Sequence, residues 1–204
     1  MSRPRGDHAR RRAEIADAAA GVIAARGLER VTLKDIGARL GVTTGVLTHY
    51  FPNKGALLRL TKERACDRAL ARAQAASGAA RGIERLHASV AALLPVDPER
   101  VVQWRLLVAF HGDAVGRASL RRAQDRRMHQ WWGHFRDLVA GLQADGTISP
   151  RLDAMTVGMA IAVFVEGQGI QFAMSAEVHD AAWQVTFARD VVDRLAGRAA
   201  RTAR

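Results

Sequence analysis

Residues 32–54, TLKDIGARLGVTTGVLTHYFPNK, gather short hydroxyl side chains, a glycine, two polar rings and a lysine. Thr43, Thr44 and Thr48 each carry a compact hydroxyl and a methyl, Gly45 offers bare backbone, and His49 and Tyr50 add ring N–H and O–H groups. Groups of this kind suit a nucleic-acid duplex: hydroxyls and backbone amides hold phosphates, while methyls and imidazoles reach base edges. Val46 and His49 are the residues best placed to touch bases. Thr32 and Lys54 bracket the set; Asn53 caps a helix whose first turn carries Lys54, so a cation and a helix N-terminus would face one anion.

These residues need two short helices to hold them. Leu33, Ile36 and Leu40 recur at helical spacing, Thr32 is a good N-cap, and Asp35 suits the positive end of the helix dipole. Gly37 leaves room for close approach, and Gly41 follows the last periodic residue, where a left-handed turn ends a helix without strain. Thr43 caps a second helix in which Val42, Val46 or Leu47, and Tyr50 or Phe51 repeat. This second helix has poor propensity throughout, and Gly45 alone costs roughly 1 kcal/mol against alanine. Selection for stability alone would not produce it; a surface shaped to lie against a phosphodiester backbone would. The pair is a helix-turn-helix.

Residues 11–58, RRAEIADAAAGVIAARGLERVTLKDIGARLGVTTGVLTHYFPNKGALL, resemble the N-terminal domain of the TetR family of transcriptional regulators. The resemblance runs through Arg26-Gly27 closing the first helix, the Thr32-capped second helix, the Gly41-Val42 turn, the His49-Tyr50-Phe51 ending and Asn53-Lys54 opening helix four. Within the family the run is most similar to the choline-responsive, betaine-pathway repressors. Gly37, where alanine is usual, and Pro52, where a polar residue is common, depart from the pattern. The resemblance implies an all-α fold of about nine helices, with a DNA-binding head over residues 1–56 and a larger ligand-binding and dimerisation part over 57–204. It also implies a homodimer on a palindromic double-stranded operator, released by a small-molecule effector, with no cofactor.

Composition agrees. A chain of 204 residues buries roughly 70% of its unfolded surface without staples, and the lone Cys66 excludes a disulfide framework or a cysteine zinc site. The start is basic and polar, unlike a secretory signal. The strongly apolar stretch 155–165 is shorter than the roughly 20 residues a membrane span needs, so a cytoplasmic protein is expected. The net charge of +11 suits an anionic partner. Arg3, Arg5, Arg10, Arg11 and Arg12 read either as an arm reaching the duplex or as a disordered basic tail; Arg198, Arg201 and Arg204 read as a solvated fray.

The rest is helical by pattern: helices over 55–76, 83–94, 99–115, 118–142, 152–173 and 180–195, with breaks at 77–82, Pro95, Pro98 and 146–150. Trp104, Phe110, His111, Trp131, Phe135 and Phe164 are candidates to line a ligand hollow, in which an aromatic set would attract a quaternary ammonium. Ordinary core packing explains such residues equally well. Glu166, in AVFVEGQGIQF between apolar residues, needs a partner and reads as a dimer-seam residue or a ligand contact. Gly167 and Gly169 would admit another helix, with Gln168 and Gln171 bonding across it. His111 with Asp113, and His129 with His134, match no metal-binding spacing. No Ser/His/Asp, Walker or zinc pattern supports an enzyme. A sequence-nonspecific architectural DNA binder is the remaining alternative.

Overall fold

The computed structural model describes residues 5–115, 118–175 and 180–198, apart from the side chains at 5–6 and 112–120. Arg3, Arg201 and Arg204 lie outside the described residues, as do the side chains of Arg5 and Asp113. Nine helices run through the described residues: α1 (Arg5–Arg26), α2 (Leu33–Leu40), α3 (Thr44–Tyr50), α4 (Lys54–Gly78), α5 (Glu84–Ala91), α6 (Pro98–Val115), α7 (Ala118–Ala144), α8 (Ala154–Met174) and α9 (Ala181–Leu195). The fold is all-α, as the periodicities predict. Boundaries move by a few residues; the fifth helix shortens most, its last expected residues turning instead toward Pro95.

By contacts the chain divides into one unit of Met1–Arg68 with Val102–Asp113, and a second of Ala69–Val101 with Ala114–Arg204. Residues 57–68 and 102–113 thus join the first unit, which reaches beyond the 1–56 expected from the sequence. The reason is visible in its core: Ile15, Ile23, Ile36, Leu47, Phe51 and Leu57 are packed with Leu106 and Phe110 from α6. α1 with two short helices buries little on its own, and each fully buried Leu or Phe adds about 1.5–3 kcal/mol. Asp17 of α1 accepts from Arg64 of α4 at 2.8 and 2.7 Å, and from Arg68. Burial alone would raise the Asp17 carboxyl, but the two arginines outweigh it and hold it below the usual range.

In the second unit α7 and α8 pack along their length, and α9 packs on α5 and α8. Asp153 caps α8, its carboxylate accepting from the Thr156 amide at 2.7 Å. By length and composition alone α8 is long and apolar enough to cross a membrane, a longer run than 155–165 suggested. In the fold one face of it joins the core, with Val157, Gly158, Ile161, Ala162 and Val165 buried.

Candidate nucleic-acid interface

Local chemistry builds the helix pair. The Thr32 hydroxyl accepts from the Asp35 amide at 3.2 Å and donates to the Asp35 carboxylate at 2.7 Å, while the Thr32 amide donates to the same carboxylate at 2.9 Å. This is a closed capping box. Donation from Thr32 is the main reason the Asp35 carboxyl sits below its usual range, with Arg26 adding to it from 2.5 Å. Gly41 ends α2 with φ 66°, and the Val42 amide donates to the Gly37 carbonyl at 2.9 Å. That turn brings the Val42 oxygen so close that a Cβ on Gly37 would stand 2.6 Å from it. Gly37 is therefore needed for a backbone approach inside the turn, rather than only for a crossing helix.

On α3, Thr43 is the N-cap, its hydroxyl accepting from the Val46 amide at 3.4 Å. The Thr48 hydroxyl donates to the Gly45 carbonyl at 3.0 Å. Leu47 is buried and Phe51 is fully enclosed, whereas Thr43, Thr44, Gly45, Val46, Thr48 and His49 are exposed and Tyr50 is half-buried. Val46, 38% exposed, is a large apolar side chain facing solvent on this short helix. Two buried anchors fix α3 and leave the remaining surface for a partner.

Lys54 takes a different position from the one expected. Its ammonium donates to the Leu28 carbonyl at 2.8 Å and the Glu29 carbonyl at 3.3 Å, in the α1–α2 connection. It ties the beginning of that loop to the start of α4, so two of its three donors point inward. Asn53 does cap α4, accepting from the Ala56 amide at 2.8 Å.

Sequence reasoning missed His8. Its ring lies 4.9 Å from the Tyr50 ring and 6.1 Å from that of His49, which is itself 5.1 Å from Tyr50. The basic start is helical from Arg5, not a loose tail. Arg10 pairs with Asp7 at 2.9 Å and Arg11 with Glu14 at 2.8 Å. The Arg12 guanidinium lies 5.0 Å over the Phe51 ring. The rings and cations at this end of α1 are already held by partners within the chain.

Residues 15–60 match the model of the bacterial regulatory proteins, tetR family, and residues 82–197, more than half of the chain, match that of the BetI-type transcriptional repressor, C-terminal. The chain belongs to the TetR family. This TetR-family regulator is 28% identical over 188 residues to the HTH-type transcriptional regulator BetI of Paraburkholderia phytofirmans, covering 90% of this chain and 92% of the relative. It is 29% identical over 192 residues to that of Burkholderia mallei, with 91% and 93% covered. Among solved structures, a TetR-family regulator from Rhodococcus sp. superposes with TM-score 0.78 at 25% identity, covering 91% of this chain and 98% of that one. A regulator from Saccharomonospora viridis, solved in complex with choline, shares the fold with TM-score 0.79 at 22% identity, with 92% and 96% covered. These relatives are transcriptional regulators, and so is this TetR-family chain; it is not an enzyme.

The residues expected to line a ligand hollow are divided between the two units. Trp104, Phe110 and His111 fall in the first unit, where Phe110 fills the core beside Leu106. Trp131, Phe135, Phe164 and Glu166 fall in the second. Phe135 is buried, Trp131 meets His134 at 6.3 Å, and Phe164 packs on Phe187 of α9 at 5.8 Å. Glu166 is half-buried. Gln168 donates to the Gln184 carbonyl of α9 at 3.3 Å.

The second unit does hold a cavity of about 450 Å³ between α4, α5 and α7, lined by Gln74, Arg85, Gln130, His134 and Asp137 among others. His134 shares a hydrogen bond of 2.8 Å with the Ser89 hydroxyl, and burial pushes its imidazole below the usual range. The lining mixes these polar side chains with Leu70 and Leu138 and includes no Trp, Tyr or Phe.

Gly45 gives a sharp test of why α3 is built so poorly. A Cβ there would have only the Thr43 hydroxyl nearby, at 3.7 Å. Gly45→Ala therefore fits, and is expected to raise the denaturant midpoint by up to about 1 kcal/mol in stability while weakening duplex binding measured by fluorescence anisotropy. A variant both more stable and equally tight would show that the glycine has no part in close approach.

Proposed function

We propose that this chain is a cytoplasmic homodimeric repressor that holds a palindromic operator through two copies of α3 and lets go on binding a small effector. The observation that carries the reading is the division of α3 itself: Leu47 is buried, with Thr44, Gly45, Val46, Thr48 and His49 exposed together. Those residues, with the backbone amides at the Thr43 cap, meet phosphates and base edges in the major groove. The two recognition helices would lie roughly 34 Å apart on successive turns. Thr32 and Lys54 act here mainly by holding the α1–α2 connection.

Support for the homodimer comes from α8 and α9, where Met155, Met159, Val163, Trp183 and Phe187 are large apolar side chains left exposed. Gly167 has open space around it, which would let a partner helix close in. The cavity beside His134 and Asp137 is the candidate effector site, with effector binding in the second unit lowering the operator affinity of the first. The choline held by the Saccharomonospora viridis regulator makes choline the first effector to titrate; a hydrogen-bonding effector suits this lining better than a quaternary ammonium that needs an aromatic cage.

The reading is tested with a duplex selected by the full-length protein from a random library. Thr44→Glu with Thr48→Glu places two carboxylates on the exposed face without touching Leu47, and is expected to lower affinity for that duplex on the order of a hundredfold, about 3 kcal/mol. Dimer mass by sedimentation should stay unchanged. Undiminished binding would remove α3 from the interface. Equal competition by bulk DNA of unrelated sequence would favour the architectural alternative.

A further inference from the structure

Three rings from two helices meet at the C-terminal end of α3: His8 from the first turns of α1, and His49 and Tyr50. His8 and His49 are both exposed, on the surface that continues from Thr44 to Thr48. The His8 ring tilts 35° onto Tyr50, and His49 meets Tyr50 edge-on at 81°. Among the described residues neither imidazole has a hydrogen-bond partner, so each keeps its ring nitrogens for something outside the chain.

The charged groups around them are already committed. On α1, Asp7 is held by Arg10, and Glu14 by Arg11 at 2.8 Å; Arg12 lies over Phe51. On α2, which packs on both α1 and α3, Asp35 is held by Arg26 and Thr32, leaving Lys34 and Arg39 as exposed cations. No carboxylate on these elements is left to neutralise a protonated His8 or His49. A phosphodiester backbone supplies that neutralisation.

From this we infer that His8 is a further DNA-contacting residue, and that operator binding takes up protons through the His8–His49 pair. The inference rests on the DNA-binding reading and adds to it. An imidazole is the side chain that changes charge between about pH 5 and 8. An opposite charge at hydrogen-bond distance favours its protonated form, and a group that binds its proton more tightly in the complex makes the complex tighter as pH falls. The sign is fixed: affinity is greatest at the acid end of that range and is lost as pH rises. His8 has a second role, since its ring braces Tyr50 against α1.

Two variants separate the roles. His8→Phe keeps a ring for Tyr50 but carries no proton; His8→Gln keeps hydrogen bonding but loses the ring and the charge. Affinity for the library-selected duplex is measured by anisotropy from pH 8 to pH 6 at constant salt, because binding to phosphates is itself salt-dependent. The wild type is expected to tighten by up to about tenfold for each imidazole that gains a proton. His8→Phe should match it at pH 8 and lose about half of the logarithmic pH dependence. His8→Gln should bind more weakly at both pH values, with the same reduced dependence. A His8→Phe profile parallel to the wild type would overturn the proton uptake at His8, with DNA binding itself intact. Failure to select any duplex would overturn the DNA-binding reading and this inference together.

Discussion

Asp193→Ala is expected to destabilise the second unit by on the order of 3 kcal/mol, the largest single side-chain loss away from the reading helix. Asp193 and His87 are 8% and 5% exposed, and the Asp193 carboxylate stands 3.1 Å from the Nε2 of His87. The Nδ1 of the same ring faces Glu84 at 3.2 Å. The two carboxylates thus flank the ring, one at each nitrogen. The network extends outward: Arg189 donates to Glu84, holding its carboxyl below the usual range, and Arg198 approaches Asp193 at 3.5 Å. His87 belongs to α5 and Asp193 to α9, so the pair fastens the helix that presents Trp183 and Phe187. Truncating Asp193 leaves a buried imidazole facing a void, which costs more than the hydrogen bond alone. Denaturant unfolding of the full chain measures the effect, and sedimentation reads any loosening of the proposed dimer. A loss no greater than the roughly 0.5 kcal/mol of an ordinary surface change would mean that the network is not coupled to stability. Asp193→Asn, which keeps an acceptor and the volume, should lose less.

Gly158→Val should be the most damaging change on α8. A Cβ at Gly158 would stand 2.5 Å from the Arg136 amide nitrogen, 2.8 Å from its Cα and 2.9 Å from the Phe135 carbonyl carbon. All three are backbone atoms of α7, so no side chain can swing away and the helices must separate. Overpacking of this kind costs about 1–3 kcal/mol, and more where two helices are displaced together. Gly167→Ala is the internal control, since nothing lies within 4 Å of the added carbon; in the single chain it should be neutral or gain up to about 1 kcal/mol in helix propensity. Thermal melts of the two variants side by side decide the matter. A Gly158→Val protein that melts with the wild type would show that α8 does not need its close crossing.

The contrast between these glycines shows where sequence reading works. Gly41 was legible because its role is local: it follows the last periodic residue of α2 and takes φ 66°. The Thr32 box, the Thr43 cap and the Asn53 cap were legible for the same reason, each joining residues three apart. On α8, the unusual run around Glu166 singled out Gly167 and Gly169 for a partner helix, while the close crossing with α7 at Gly158 carries no distinguishing pattern in the adjacent sequence. Helical spacing marked Phe110 and Phe164 as inward-facing without saying against what. Phe110 completes the head's core and Phe164 meets Phe187.

By itself, then, the sequence determined the all-α class, the two-helix reading head, the buried and exposed faces of α3, and the kind of molecule it faces. Caps, turns and helical periodicity act over one or two turns of chain, so spacing alone records them. Only the tertiary structure decided that Lys54 reaches carbonyls 25 and 26 residues away, that His8 braces Tyr50, and that α6 supplies core to the head. The physical reason is that these pairings depend on where separate helices cross. A side chain's type and spacing set what it can bind, and the crossing sets which partner is there.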